Sequence, residues 1–129
     1  MINPMIVDGQ IMGGTAQGIG SVLYEATPFD AQGQPLASTL IDYILPGATE
    51  VPDVRILHME TASPNTEFGM KGIGEGGAVG PPGAIVCAIN DALKSTGAEI
   101  YQLPVTPERV LAALAAASAG RATAALEMS

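Results

Sequence analysis

Lys71-Gly72-Ile73-Gly74-Glu75-Gly76-Gly77, running on into Gly80-Pro81-Pro82, sets one carboxylate among glycines at the start of an apolar stretch. Glycines admit positive φ and let backbone N–H groups come close to a ligand. Such a loop ahead of a helix is a ready anion cradle. A carboxylate inside a phosphate cradle repels the ligand, so plain phosphate binding does not account for Glu75. The chemistry that suits it is proton acceptance, for which a carboxylate needs burial to work near neutral pH. The competing reading is a solvated loop acid, which the density of glycine and proline around it disfavours.

Other candidates are weaker. Gly72-x-Gly74-x-x-Gly77 has the form of a dinucleotide fingerprint, which requires a buried strand before it and an acid roughly 20 residues later at a strand end. Residues 65–70 lack strand character and Asp91 falls within an expected helix, so the match is read as a coincidence of glycine density. His58 has no second histidine and no carboxylate at ligand spacing, which favours a structural role over a metal site. Cys87, between Val86 and Ala88, reads as a small core residue. Gln10 and Gln17 flank a second glycine-rich stretch, and a glutamine amide is a neutral donor suited to an oxo or carbonyl oxygen.

These residues need elements to hold them. Ile6-Val7 reads as a strand end leading into the turn Asp8-Gly9-Gln10. Met12, Ala16, Ile19 and Leu23 recur at helical spacing between Gln10 and Ala26. Gly13, Gly14, Gly18 and Gly20 each cost such a helix about 1 kcal/mol relative to alanine, tolerable where something packs closely on its backbone. Thr39–Leu45 and Val54–Glu60 have strand composition, the second with clear alternation. Pro81 or Pro82 suits the first turn of a helix. Ile85, Ala88, Ile89, Ala92 and Leu93 give that helix an apolar stripe opposite Asn90, Asp91 and Lys94, and Gly97 ends it. Residues 99–103 read as a short strand. Thr106-Pro107-Glu108 opens a last helix that runs into a fraying Ala-rich tail.

The composition bounds the function. The 129 residues suit one domain, 1–129, and 47% apolar residues include only 4% aromatics. Charged residues at 14% are sparse, which points to a surface covered by other protein and to an oligomer. Net charge is −8, and the five cations (Arg55, Lys71, Lys94, Arg109 and Arg121) stand singly. That excludes nucleic acid, which needs clustered cations, and disfavours an anionic membrane surface. The single cysteine excludes an internal disulfide or a cysteine-built metal or iron–sulfur site. With no basic leader and no long apolar run, the cytoplasm is the expected compartment.

Several blocks taken together resemble a known family. They are Asn3-Pro4, Asp8-Gly9-Gln10, Gln17-Gly18-Ile19-Gly20, Asp42-Tyr43 with Pro46, and Pro52-Asp53. They continue with Lys71-Gly72-Ile73-Gly74-Glu75, Ala88-Ile89-Asn90-Asp91-Ala92-Leu93, and Leu103-Pro104-Val105-Thr106-Pro107-Glu108-Arg109-Val110. In this order and spacing they resemble the C-terminal part of the molybdopterin-binding large subunit of the xanthine dehydrogenase, aldehyde oxidase and carbon monoxide dehydrogenase family.

That resemblance implies an α+β fold, a small mixed sheet with packed helices forming part of a larger molybdopterin-binding domain. It places Glu75 on the family's active-site glutamate, the base that deprotonates the hydroxide attacking an electron-poor carbon of an aldehyde or N-heterocycle (or acting in carbon monoxide oxidation). It places Gln10 on a glutamine that donates a hydrogen bond near a molybdenum oxo group. Lys71, Gly72, Ile73 and Gly74 fall on the loop that approaches the pterin. The glycines of residues 10–20 would then allow tight packing of cofactor against backbone. The cofactor implied is molybdopterin with molybdenum, shared with a partner, its cytosine dinucleotide form left open. Iron–sulfur clusters and FAD are expected on other subunits, in keeping with the single cysteine, and no protein ligand to a metal is expected here. The partners implied are the remaining part of the molybdopterin-binding subunit and the iron–sulfur and flavin subunits. Two departures stand out: Gly76-Gly77 follows the glutamate where related chains vary, and the chain begins where the family's domain is already under way. Two functions follow as alternatives. One is a component that completes a molybdenum oxidoreductase site and is inactive without the upstream part. The other is a non-catalytic truncated paralogue or fragment that folds and associates without cofactor.

Overall fold

Three α-helices carry the structure, a computed structural model that describes residues 1–127. Helix α1 spans Pro4–Leu23, α2 spans Gly76–Leu93 and α3 spans Pro107–Glu127. Short 3-10 turns, Glu67–Gly69 and Lys94–Thr96, precede α2 and follow it. The expected α+β arrangement is not found. Among the described residues the β-structure is one isolated antiparallel bridge, Phe29 to Pro35, so there is no mixed sheet for the helices to pack on.

The physical reasons differ at each expected strand. Ile6-Val7 lies inside α1, because Asn3 and Pro4 start that helix. The Asn3 side chain accepts from the Ile6 N–H at 3.1 Å and Pro4 occupies the first turn, an N-cap followed by an N1 proline. Thr39–Leu45 curls into a turn. The Thr39 carbonyl accepts from the Asp42 and Tyr43 N–H groups, and its hydroxyl accepts from Ile41 and donates to Asp42, a local alternative to a strand ladder. Val54–Glu60 joins no ladder: its backbone bonds no other segment among the described residues, and it is held by side chains instead, His58 against Asp8 and Glu60 against the Met1 amino group. At residues 99–103 the backbone is claimed by a side chain. Asn90 donates to the Ile100 carbonyl at 2.9 Å and accepts from its N–H at 2.8 Å. Asn90, expected on the polar face of α2, is therefore a clamp in a half-buried position.

Helix α1 is continuous in spite of its glycines, and α2 is the reason. A Cβ on Gly14 would stand 2.8 Å from the Ala78 nitrogen, and one on Gly18 would stand 2.7 Å from the Pro81 ring. In return, a Cβ on Gly77 would stand 2.6 Å from the Ile11 carbonyl oxygen. The glycines of α1 thus serve helix–helix contact. Gly20 instead lies under Pro46 and Glu25, while Gly9 and Gly13 face open space.

Helix α2 begins at Gly76, ahead of the prolines expected at its first turn. Pro81 and Pro82 lie within it, with the Pro81 ring seated in the notch left by Gly18. Gly97, at φ 70°, closes this stretch in the left-handed region. Thr106 and Pro107 open α3 as expected, the Thr106 carbonyl accepting from Val110 at 3.1 Å. The Ala-rich tail is helical to Glu127, and residues 128–129 lie outside the described residues.

The core forms where the helix ends meet. Val22 is fully buried beside Ile100 and Val105, and Leu23, Ile85, Val86, Ile89, Leu93, Val110 and Ala113 pack around them. The Val105 N–H donates to the Val22 carbonyl at 2.5 Å, which satisfies an orphan acceptor at the end of α1. Residues 39–47 are tied over this end by the Tyr43 hydroxyl, which donates to Glu25 at 2.5 Å. That hydrogen bond holds the Tyr43 hydroxyl above the ordinary tyrosine range.

Candidate functional site

Loop 63–75 is set by local hydrogen bonds. The Thr66 hydroxyl donates to the Met70 carbonyl at 2.6 Å, and the Ser63 N–H donates to the Gly69 carbonyl at 3.1 Å. Phe68 is held at φ 53°, in the left-handed region that a non-glycine residue rarely adopts. Its side chain is 89% exposed. Gly74, at φ 51°, turns the chain into α2.

Glu75 stands at the N-cap of α2 with φ −97° and ψ 30°. Its backbone closes the helix start, the carbonyl accepting from Ala78 at 2.9 Å, but its carboxylate makes no capping bond. The side chain is exposed and free to meet an external group. The burial expected around Glu75 is therefore not supplied by these residues. The N–H groups of Gly72, Ile73, Gly74 and Glu75 donate to no acceptor among the described residues. Gly72, Gly74 and Gly76 have nothing within 4 Å of a Cβ position. The loop is thus an open face of backbone donors beside a carboxylate.

The helix pair brings Gln10 to this face. A Cβ on Gly77, two residues after Glu75, would lie 3.1 Å from the Gln10 carbonyl oxygen and 2.9 Å from the Ile11 Cα. Gln10 therefore lies against the first turn of α2, at Gly77, two residues after Glu75. Lys71, Gly72 and Ile73 line an adjoining groove of about 690 Å³, whose other walls include Ile6, Ile11, Leu57 and Phe68. Lys71 Nζ donates to the Thr61 hydroxyl at 2.8 Å, which turns this cation along the groove wall.

One expectation for a single residue is corrected and another gains a partner. Cys87 is exposed on α2, not part of the core. His58 does have a carboxylate partner: its Nε2 lies 2.7 Å from Asp8 Oδ1. That pair spans fifty residues, so spacing in the sequence carries no signal of it. The left-handed backbone of Phe68 is likewise silent in the sequence, since its φ follows from the surrounding turn. No group of three or more His, Cys, Asp or Glu residues among the described residues could hold a metal ion. No helix among them is long and apolar enough to cross a membrane.

The chain is similar to known proteins over most of its length. Residues 1–52 match the family model of a molybdopterin cofactor-binding domain, which includes Gln10. The chain is 44% identical over 113 residues to the nicotine 6-hydroxylase large subunit of Paenarthrobacter nicotinovorans, covering 88% of this chain and 14% of that one. It is 41% identical over 109 residues to the carbon monoxide dehydrogenase large chain of Hydrogenophaga pseudoflava, covering 84% of this chain and 14% of that one. Among solved structures, quinoline 2-oxidoreductase of Pseudomonas putida 86 aligns with a TM-score of 0.85 and 48% identity, over 88% of this chain and 14% of that one. The chain thus spans about one seventh of the length of the relatives it matches. Over that span it belongs to the family of molybdopterin-binding large subunits found in xanthine dehydrogenases, aldehyde oxidases and carbon monoxide dehydrogenases.

Proposed function

We propose that this chain is one unit, the C-terminal portion of a molybdopterin-binding large subunit, and that it completes the active site of a molybdenum hydroxylase or dehydrogenase. The observation that carries this reading is the seating of Gln10 against Gly77, in the helix turn that follows Glu75, across the α1–α2 contact. The residues present fit the cofactor: open glycine positions at 72, 74 and 76 leave room for a bulky group against the backbone. The unengaged N–H groups of residues 72–75 can donate to its polar edge. When bound, molybdopterin with its molybdenum supplies the redox centre that accepts an electron pair from the substrate carbon.

The protein's own share is proton handling and placement. Glu75, uncapped, accepts the proton released as an oxygen nucleophile adds to the carbon. Gln10 donates its amide N–H to an acceptor on the cofactor side of the cleft. Lys71, Gly72, Ile73 and Gly74 fix the cofactor's position against α2. Burial of Glu75 comes from the rest of the large subunit. The substrate class is an aldehyde or an N-heterocycle with an electron-poor carbon, or carbon monoxide. The nicotine hydroxylase and quinoline oxidoreductase relatives favour the heterocycle. The cytosine dinucleotide form of the cofactor, a cytoplasmic setting, and partner subunits carrying iron–sulfur clusters and FAD belong to the same proposal. A relative that is subunit gamma of a 6-hydroxypseudooxynicotine dehydrogenase complex is in keeping with such an assembly.

Reconstitution tests it. The remaining large-subunit polypeptide is loaded with cofactor and assayed with and without this chain. Turnover only when the chain is present is expected. Equal turnover without it contradicts the proposal and favours a non-catalytic module.

A further inference from the structure

Side chains alone join the helix that carries Gln10 to the loop that carries Lys71. Residues 51–62 make no backbone hydrogen bond among the described residues, so their polar side chains decide where that stretch lies. His58 Nε2 meets Asp8 Oδ1 on α1 at 2.7 Å. Three residues on, the Thr61 hydroxyl accepts from Lys71 Nζ at 2.8 Å. Glu60, between them, adds a tie to the Met1 amino group ahead of α1.

Both ends of this strut lie where the proposed site is made. Asp8 precedes Gln10 by two residues, and Lys71 precedes Glu75 by four. The glycine contact of α1 with α2 fixes the two helices against each other, but it does not reach the loop ahead of α2. Among the described residues, the Lys71 bond to Thr61 is the one hydrogen bond that ties residues 71–74 to a distant segment.

We infer that Asp8, His58 and Thr61 are positioning residues that set the Lys71–Glu75 loop against Gln10. The inference rests on the functional reading above. Three residues of chain reach at most about 10 Å, so the strut bounds how far the loop can stand from α1. Each bond contributes little to stability at a wet surface. A loop with no other tether nevertheless moves when its bond is lost, and a small displacement of a base or a bound cofactor is costly to turnover. The bonds act in series. Once the loop end is cut, cutting the α1 end changes nothing more.

The test uses the assembled, cofactor-loaded large subunit. Thr61→Val, which removes the accepting hydroxyl, lowers kcat about tenfold with KM little changed, and it speeds pterin release at least about threefold. Thr61→Ser keeps the hydroxyl and stays close to wild type in both. Asp8→Ala costs about threefold in kcat, because Glu60 still holds its partner, and His58→Gln, which keeps a donor for Asp8, costs less. The double variant Asp8→Ala/Thr61→Val falls no further than Thr61→Val. Losses that multiply in the double variant overturn the strut by showing two independent contacts. Equal losses in Thr61→Val and Thr61→Ser overturn it too, since the hydrogen bond is then not the cause. Unchanged helicity by circular dichroism excludes misfolding, and the Thr61 pair decides the matter even where Asp8→Ala does not fold. Wild-type turnover of Thr61→Val in a subunit that needs Glu75 refutes the strut and leaves the functional reading standing. In a subunit indifferent to Glu75 that reading fails, and pterin release alone decides: faster from Thr61→Val than from Thr61→Ser upholds the strut, and equal rates refute it.

Discussion

At residue 75 the fold leaves a carboxylate at a helix start without using it there. Asp, Asn or Ser at an N-cap ordinarily accepts from the first-turn N–H groups, but Glu75 makes no such bond. The glycine before it has a separate task. Gly74 at φ 51° turns the loop into α2, and an L side chain there costs about 1–2 kcal/mol. Gly74→Val is therefore expected to leave the far core intact, since Val22, Ile100 and Val105 lie at the opposite end of the helix pair. It should lower retention of molybdopterin by the assembled subunit, checked by pterin and metal content. The sequence offers Glu75 and Gln10 as candidates, the first from its glycine setting and both from the family's blocks. The His58–Asp8 pair and the left-handed Phe68 are not legible there, because each depends on contacts or backbone geometry that no local spacing encodes.

Between elements, the α1–α2 contact decides where those residues meet, and it is a contact of backbones. Gly77→Ala pushes a methyl into the Ile11 carbonyl at 2.6 Å, so we expect a loss of about 1–3 kcal/mol in stability. Gly13→Ala meets nothing within 4 Å and should stabilise α1 by up to about 1 kcal/mol. Thermal unfolding of the two variants checks this, and equal shifts would contradict the packing argument. Helical spacing in residues 10–26 is readable despite the glycines, and so is the requirement that something pack closely on them. The occupant differs in part from expectation: α2 takes Gly14 and Gly18, where cofactor packing is implied by the resemblance. The expected strands fail for a common reason. β-Branched composition at 39–45 and alternation at 54–60 describe residues that suit a sheet, but a ladder needs a neighbour. Local hydrogen bonds from Thr39 and the Asn90 clamp on Ile100 take up the backbone groups that a ladder would use.

Taken whole, the molecule exposes more apolar surface than a self-sufficient domain does. Ile41 and Leu40 on the turn, Leu57 and Met59 on the extended segment, and Phe68 beside the groove are all open. Such surface marks interaction sites, in keeping with a chain that spans about one seventh of its relatives. The chain alone is therefore expected to bind the dye ANS strongly, and the signal should fall when the rest of the large subunit is added. An undiminished signal would place that surface outside the interface. The low charge content visible in the sequence already points to a covered surface, although which residues form it requires the fold. The role proposed for Glu75 is that of the base in a site completed by this chain. It is tested most directly by Glu75→Gln in the assembled, cofactor-loaded subunit, because the amide keeps the side chain's shape and removes its basicity. Turnover is predicted to fall by about 10²–10⁴ with molybdenum content unchanged, and wild-type turnover at full molybdenum occupancy would contradict it.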